Sequence, residues 1–117
     1  CSWVNYAGLP DHKDHALVQK YMGGRASGIL NFGVKSADGD GKAAGARFQD
    51  ALKLVTRLVN IGDCKSLACH PASTTHRQLS ADELAKAGVA PDMVRLSIGI
   101  EHIDDILADL DQALAAV

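Results

Sequence analysis

Residues 94–100, VRLSIGI, constrain this chain more than any other stretch. Val94, Leu96, Ile98 and Ile100 occupy alternate positions, with Arg95, Ser97 and Gly99 between them. Period two over seven residues is the pattern of a strand with one buried face. The same residues wound into a helix would scatter their apolar groups around the axis. A strand buried on one face needs neighbours and a covering layer. GILNFGV, 28–34, is a matching neighbour: Leu30, Phe32 and Val34 share one face, and Ile29, Asn31 and Gly33 the other.

The remaining segments fit around these two strands. Trp3, Val4 and Tyr6 mark a short opening strand that ends at the turn AGLP. Asp11 is placed to cap a helix over 12–22, with Ala16, Leu17 and Tyr21 inward and Gly23-Gly24 as its stop. After the polar loop SADGDGK, the spacing of Phe48, Ala51, Leu52, Val55, Leu58 and Val59 predicts a helix over 42–59. NIGD is a tight turn at Gly62, and Ser66 to Cys69 form a short strand that Pro71 ends. Ser80 and Glu83 make a capping box flanked by Leu79 and Leu84, with Gly88 as the stop. Ile103, Ile106, Leu107, Leu110 and Leu114 predict a final helix over 103–116. The alternation of short strands and helices implies an α+β fold, a small sheet with helices packed on one face.

Composition closes off several function classes. The chain has 117 residues, 47% of them hydrophobic, and a net charge of −2. That suits one domain with one core and argues against disorder. No basic run and almost no aromatic platform point to nucleic acid. No apolar stretch reaches the ~20 residues of a membrane helix. The three cysteines, Cys1, Cys64 and Cys69, lack a framework or zinc-ribbon spacing, so free thiols in a reducing, cytoplasmic setting are expected. The opening CSWVNY enters directly into a strand without an initiator methionine, as a piece of a longer protein would.

HPASTTHRQL, 70–79, gathers His70, Ser73, Thr74, Thr75 and His76 into seven positions. The two histidines are six apart across Pro71, which is not a helical metal spacing, and no nucleophile elbow is present. A polar loop whose hydroxyls satisfy backbone groups is the plainer reading. His12 and His15 are three apart on a helix face but lack a third ligand, so a solvated turn is expected. Lys65 shows no sign of the desolvation that a catalytic lysine needs. Arg95 stands mid-strand on the face opposite the apolar residues. A guanidinium held there suits a bidentate carboxylate, although an ordinary ion pair uses the same position.

Three blocks carry a resemblance: NYAGLPDHKDHALVQ (5–19), RLVNIGDCKSLACHPASTTHRQL (57–79) and VRLSIGIEHIDDILADLDQAL (94–114). Together they resemble the C-terminal domain of the pyridoxal-phosphate (PLP) enzymes of cysteine and methionine metabolism, most of all the O-acetylhomoserine sulfhydrylase branch. The resemblance implies the small domain of a fold-type I transferase over 1–117, an antiparallel-type sheet with helices on one face. The large cofactor-binding domain lies outside the chain. It also implies γ-replacement of acetate by sulfide to give homocysteine, in a cytoplasmic tetramer. PLP belongs to the longer enzyme and is not expected on this chain, which alone should be inactive.

The resemblance assigns substrate roles residue by residue. Arg95 matches the arginine that binds the substrate α-carboxylate. Thr75 matches a threonine lining the same pocket, and His76 is left as a structural neighbour. Asn60 falls where γ-lyase relatives carry serine. Val59 falls where cystathionine-cleaving relatives place glutamate; an apolar residue there favours sulfide or a small thiol as second substrate. The competing readings are a methionine γ-lyase or cystathionine γ-synthase relative, and a stand-alone binding or oligomerisation module without catalysis.

Overall fold

The computed structural model describes all 117 residues. Its strands are β1 (Trp3–Asn5), β2 (Ile29–Gly33), β3 (Thr56–Arg57), β4 (Leu67–Cys69) and β5 (Met93–Ser97). They form one sheet in the order β1-β2-β5-β4-β3. The two alternating segments lie side by side at its centre, antiparallel from Ile29↔Ser97 to Gly33↔Met93. The β1–β2 and β4–β5 pairs are also antiparallel, whereas β3 runs parallel to β4. The helices are α1 (His15–Met22), α2 (Gly41–Ala51), α3 (Ala81–Lys86) and α4 (Ile103–Leu114).

α2 and α4 cover one face of the sheet. Phe32 and Val34 from β2 and its end, Val94 and Leu96 from β5, and Ala68 from β4 meet Ala44 and Phe48 of α2 and Ala113 of α4. Phe32 and Phe48 pack edge to face with ring centroids 5.4 Å apart. Each of these large side chains contributes about 1.5–3 kcal/mol on burial. A smaller cluster of Ala72, Leu84 and Val89, with Leu79 and Met93 against it, holds α3 and the 3-10 turn Pro71–Ser73. Met93 alternates with Val94 and so belongs to the opposite sheet face.

The periodicity over 42–59 overshoots the real helix. α2 ends at Ala51, and Leu52 is already extended at φ −64° and ψ 139°. Its end is set by Asp109 of α4. That carboxylate accepts hydrogen bonds from the backbone N–H groups of Lys53, Leu54 and Val55, each at 2.9 Å. Gln112, one turn later, donates to the Ala51 carbonyl at 2.7 Å. Donors that would have continued α2 are taken by a side chain more than fifty residues away, and Thr56–Arg57 is freed to pair with β4.

Smaller departures have local causes. α1 starts after Asp14, not Asp11, and Asp14 makes no side-chain cap. Val18 is its buried residue, while Leu17 and Tyr21 are exposed. The capping box of Ser80 and Glu83 is present, and Gly23, Gly24 and Gly88 take positive φ where their helices stop. In α4, Ile106 is buried, but Ile103 and Leu107 are more than half exposed at 57% and 55%. With Val4, Leu30, Phe48, Ile98 and Leu110 they border a groove of about 320 Å³ whose twelve lining residues are all apolar.

Candidate functional site

The face opposite α2 and α4 carries the polar residues of the central strands. Register sets them in a row: Asn5 pairs with Asn31, Asn31 with Arg95, and Arg95 with Cys69. Alternation places all four on one face, because Val4, Leu30, Phe32, Ala68, Val94 and Leu96 take the other. Arg95 is half-buried at the centre of this row. Its Nη2 donates to the Asn60 carbonyl oxygen at 3.4 Å. No acidic side chain forms an ion pair with it; the carboxylate pairings in the chain are Arg57 with Asp50 and His102 with Asp104.

The loop over 58–66 is fastened to the end of β5 above this row. Gly62 N–H donates to Ser97 Oγ at 3.2 Å. Glu101 accepts from Ser66 N–H at 2.6 Å and from Ser66 Oγ at 2.8 Å, and Ser66 Oγ accepts from Gly99 N–H at 2.9 Å. The Ser66 N–H bond, ahead of its burial, holds the Glu101 carboxyl below its usual range. A Cβ on Gly99 would collide with the backbone of Cys64, Lys65 and Ser66, so the approach needs glycine. Val59 and Asn60 stand exposed on this loop, and the Asn60 side chain accepts from Ile61 N–H at 2.9 Å.

The HPASTTH segment resolves into two halves. His70 is fully buried. Its Nε2 lies 2.8 Å from the Pro91 carbonyl, which can only accept, so that nitrogen carries the proton. Nδ1, 2.8 Å from Ser73 Oγ, then accepts from the hydroxyl. Burial pushes the imidazole below its ordinary pKa. A Cβ at position 45 would strike the ring, so Gly45 in mid-α2 makes room for it. Gln49 completes the lock, accepting from His70 N–H at 3.2 Å and donating to the Ala68 carbonyl at 3.2 Å. The sequence reading took His70 for part of a polar loop; Gly45 and Gln49 at helical spacing were the signal for a buried polar partner.

Beyond the 3-10 turn the segment is open. Thr75 is exposed and its hydroxyl meets His76 Nδ1 at 2.8 Å, beside a cavity of about 680 Å³ lined by residues 74–79. The structure joins Arg95 and Asn60 directly. It joins Thr75 to neither by a hydrogen bond. Thr74 lies nearer the row, with its Oγ1 3.5 Å from Cys69 Sγ. No three His, Cys, Asp or Glu side chains converge as metal ligands. All seven lysines of the chain are exposed.

A family model described as Cys/Met metabolism PLP-dependent enzyme matches residues 1–115. The chain belongs to that family. An O-acetyl-L-homoserine sulfhydrylase of Thermus thermophilus is 53% identical over 114 residues, covering 97% of this chain and 26% of the relative. A homocysteine/cysteine synthase of Saccharomyces cerevisiae is 44% identical, covering 99% of this chain and 28% of the relative. Among solved structures, a Campylobacter jejuni chain described as an O-acetylhomoserine (thiol)-lyase is 44% identical with a TM-score of 0.81. It is covered over 26% of its length, against 96% of this chain, and carries a pyridoxyl-lysine monophosphate. A Micromonospora echinospora cystathionine γ-lyase is 36% identical with a TM-score of 0.78, over 98% of this chain and 29% of its own. This member of the Cys/Met metabolism family therefore spans about a quarter of the length of the curated relatives it matches. Those relatives are PLP-dependent enzymes, and the α+β architecture is shared with them.

Proposed function

We propose that residues 1–117 are the small, C-terminal domain of a longer O-acetylhomoserine sulfhydrylase and supply its substrate-carboxylate site. The observation that carries this reading is Arg95: a guanidinium without an acidic partner, held half-buried at mid-strand between Asn31 and Cys69. Its planar fork of N–H groups matches the two oxygens of an α-carboxylate. The Asn60 carbonyl steadies the head group, and the Ser66–Glu101–Gly99 brace steadies the loop that carries Asn60. Thr75 and Asn60 complete the substrate end.

In the longer enzyme O-acetylhomoserine and sulfide become homocysteine and acetate. PLP, when bound, supplies the electron sink for that exchange. This chain contributes orientation, fixing the amino acid by its carboxylate so that its reacting carbons face the cofactor. Val59, exposed and apolar, offers no charge to the distal ammonium of cystathionine, which supports sulfide as the second substrate. The reading includes a cytoplasmic tetramer held mainly by segments outside this chain. No helix here is long and apolar enough to cross a membrane.

The test is Arg95→Ala in the longer enzyme. Loss of such a charge pair costs about 2–5 kcal/mol, so KM for O-acetylhomoserine should rise at least about thirtyfold while the cofactor absorbance stays. Near-unchanged kcat/KM would remove Arg95 from the site.

A further inference from the structure

Asn31 is out of place by ordinary strand chemistry. Asparagine is depleted in strands, and this one sits in the middle of β2, a central strand paired on both sides. Its neighbours Leu30 and Phe32 serve the core. Asn31 is half-buried, and its carboxamide takes part in none of the side-chain hydrogen bonds of the chain, whereas Asn5 beside it accepts from His12 Nε2 at 2.8 Å. Local choices that oppose the fold without a structural return tend to mark functional positions.

Its surroundings give it a use. Asn31 faces Arg95 across the β2–β5 ladder. Opposed side chains in such a pair start from Cβ atoms about 4.5–5.5 Å apart and leave the sheet on the same side. Asn31 also borders a cavity of about 360 Å³ together with Asn5, Tyr6, His12 and Ser27, so its amide is accessible; Arg95 stands beside this cavity and not in its lining. A carboxylate offers about four lone-pair sites, of which a bidentate guanidinium uses two.

We propose that Asn31 is a second substrate-contacting residue, donating its side-chain N–H to the carboxylate that Arg95 binds. The inference rests on the carboxylate reading of Arg95. Two neighbouring donors of different charge hold the carboxylate plane against rotation about the Arg95 axis, which a single fork on a flexible stem does less well.

The test compares two unreactive inhibitors of the longer enzyme, 2-aminobutyrate and its primary amide, which lacks the carboxylate. Asn31→Ala and Asn31→Val remove the donor, and valine also favours the strand, so a folding defect cannot account for a shared result. Both variants should weaken 2-aminobutyrate about tenfold, as expected for one hydrogen bond to a charged group, and leave the amide unchanged. Equal loss for acid and amide, or no loss for the acid, overturns the inference. Arg95→Ala is read on the same pair of inhibitors. If it abolishes the preference for the acid while the Asn31 variants retain it, only the role of Asn31 falls. If it leaves the preference intact, the carboxylate site itself lies elsewhere.

Discussion

Asp109→Asn is the sharpest test of how this fold is held. The Asp109 carboxylate is 5% exposed and accepts three consecutive backbone N–H groups at 2.9 Å, with Gln112 Nε2 at 3.0 Å from Oδ1. Asparagine replaces one oxygen with a donor. If the remaining oxygen serves Leu54 and Val55, the new amide confronts the N–H of Lys53 and the amide of Gln112. Two charge-assisted bonds are lost, at about 1.5–3 kcal/mol each, and the two others weaken to neutral strength. A total of at least about 3 kcal/mol follows, which for a chain of this size lowers Tm by at least about 12 °C. Burial alone would raise this carboxyl, but the N–H groups of Val55, Lys53 and Leu54 with Gln112 outweigh it, so its folded pKa lies below the ordinary 3.8. The stabilisation is therefore complete above about pH 5, a unit above the unfolded value, and disappears as pH falls through the folded value. Urea midpoints of wild type and variant, measured from pH 7 to pH 2.5, should differ by the full amount at the neutral end, and the gap should narrow toward the acid end. Equal midpoints at pH 7, or a gap independent of pH, would show that the carboxylate does not hold the end of α2.

Two further outcomes follow from the site and the lysines. Gly99→Ala should destabilise the chain by about 1–3 kcal/mol in the same urea titration, because a Cβ there meets the backbone of residues 64–66 and not a yielding side chain; a neutral effect would mean the loop over 58–66 is free to shift. The chain of 117 residues, mixed with PLP and dialysed, should keep no aldehyde-derived absorbance band, since every lysine is exposed; a band that survives dialysis would contradict this.

Local patterns were legible where they agreed with their long-range partners. Alternation in 28–34 and 94–100 identified both central strands and put Arg95 on the face away from the core, because one-sided burial leaves a period in the sequence, although β5 ends at Ser97 and Ile100 lies beyond it, 85% exposed. The Ser80–Glu83 box was legible for the same reason: its partners lie three residues apart. What escaped depended on distant partners. Apolar spacing carried the second helix through Val59, and nothing near Ala51 says stop; the stop is a carboxylate on α4, itself a polar residue on the buried side of an otherwise apolar helix stripe. His70 read as a loop histidine because its three anchors come from α2, the Pro91 turn and Ser73. Of the four substrate residues taken from resemblance, Arg95 and Asn60 are in contact, Val59 adjoins them, and Thr75 is tied to His76 instead.

The apolar groove between the sheet and α4 changes how the folded state of this chain should be diagnosed. Environment-sensitive dyes report molten states because they bind accessible apolar surface. Here the native chain already presents such a surface, with Val4, Ile103 and Leu107 each more than half exposed. Bright dye fluorescence would then coexist with a fully ordered core, and an acid titration would start from a raised baseline. Trp3, half-buried on β1 with its indole N–H 3.2 Å from Asp92 Oδ2, is the better reporter, since its near-ultraviolet dichroism registers whether the side chains at the sheet edge are fixed.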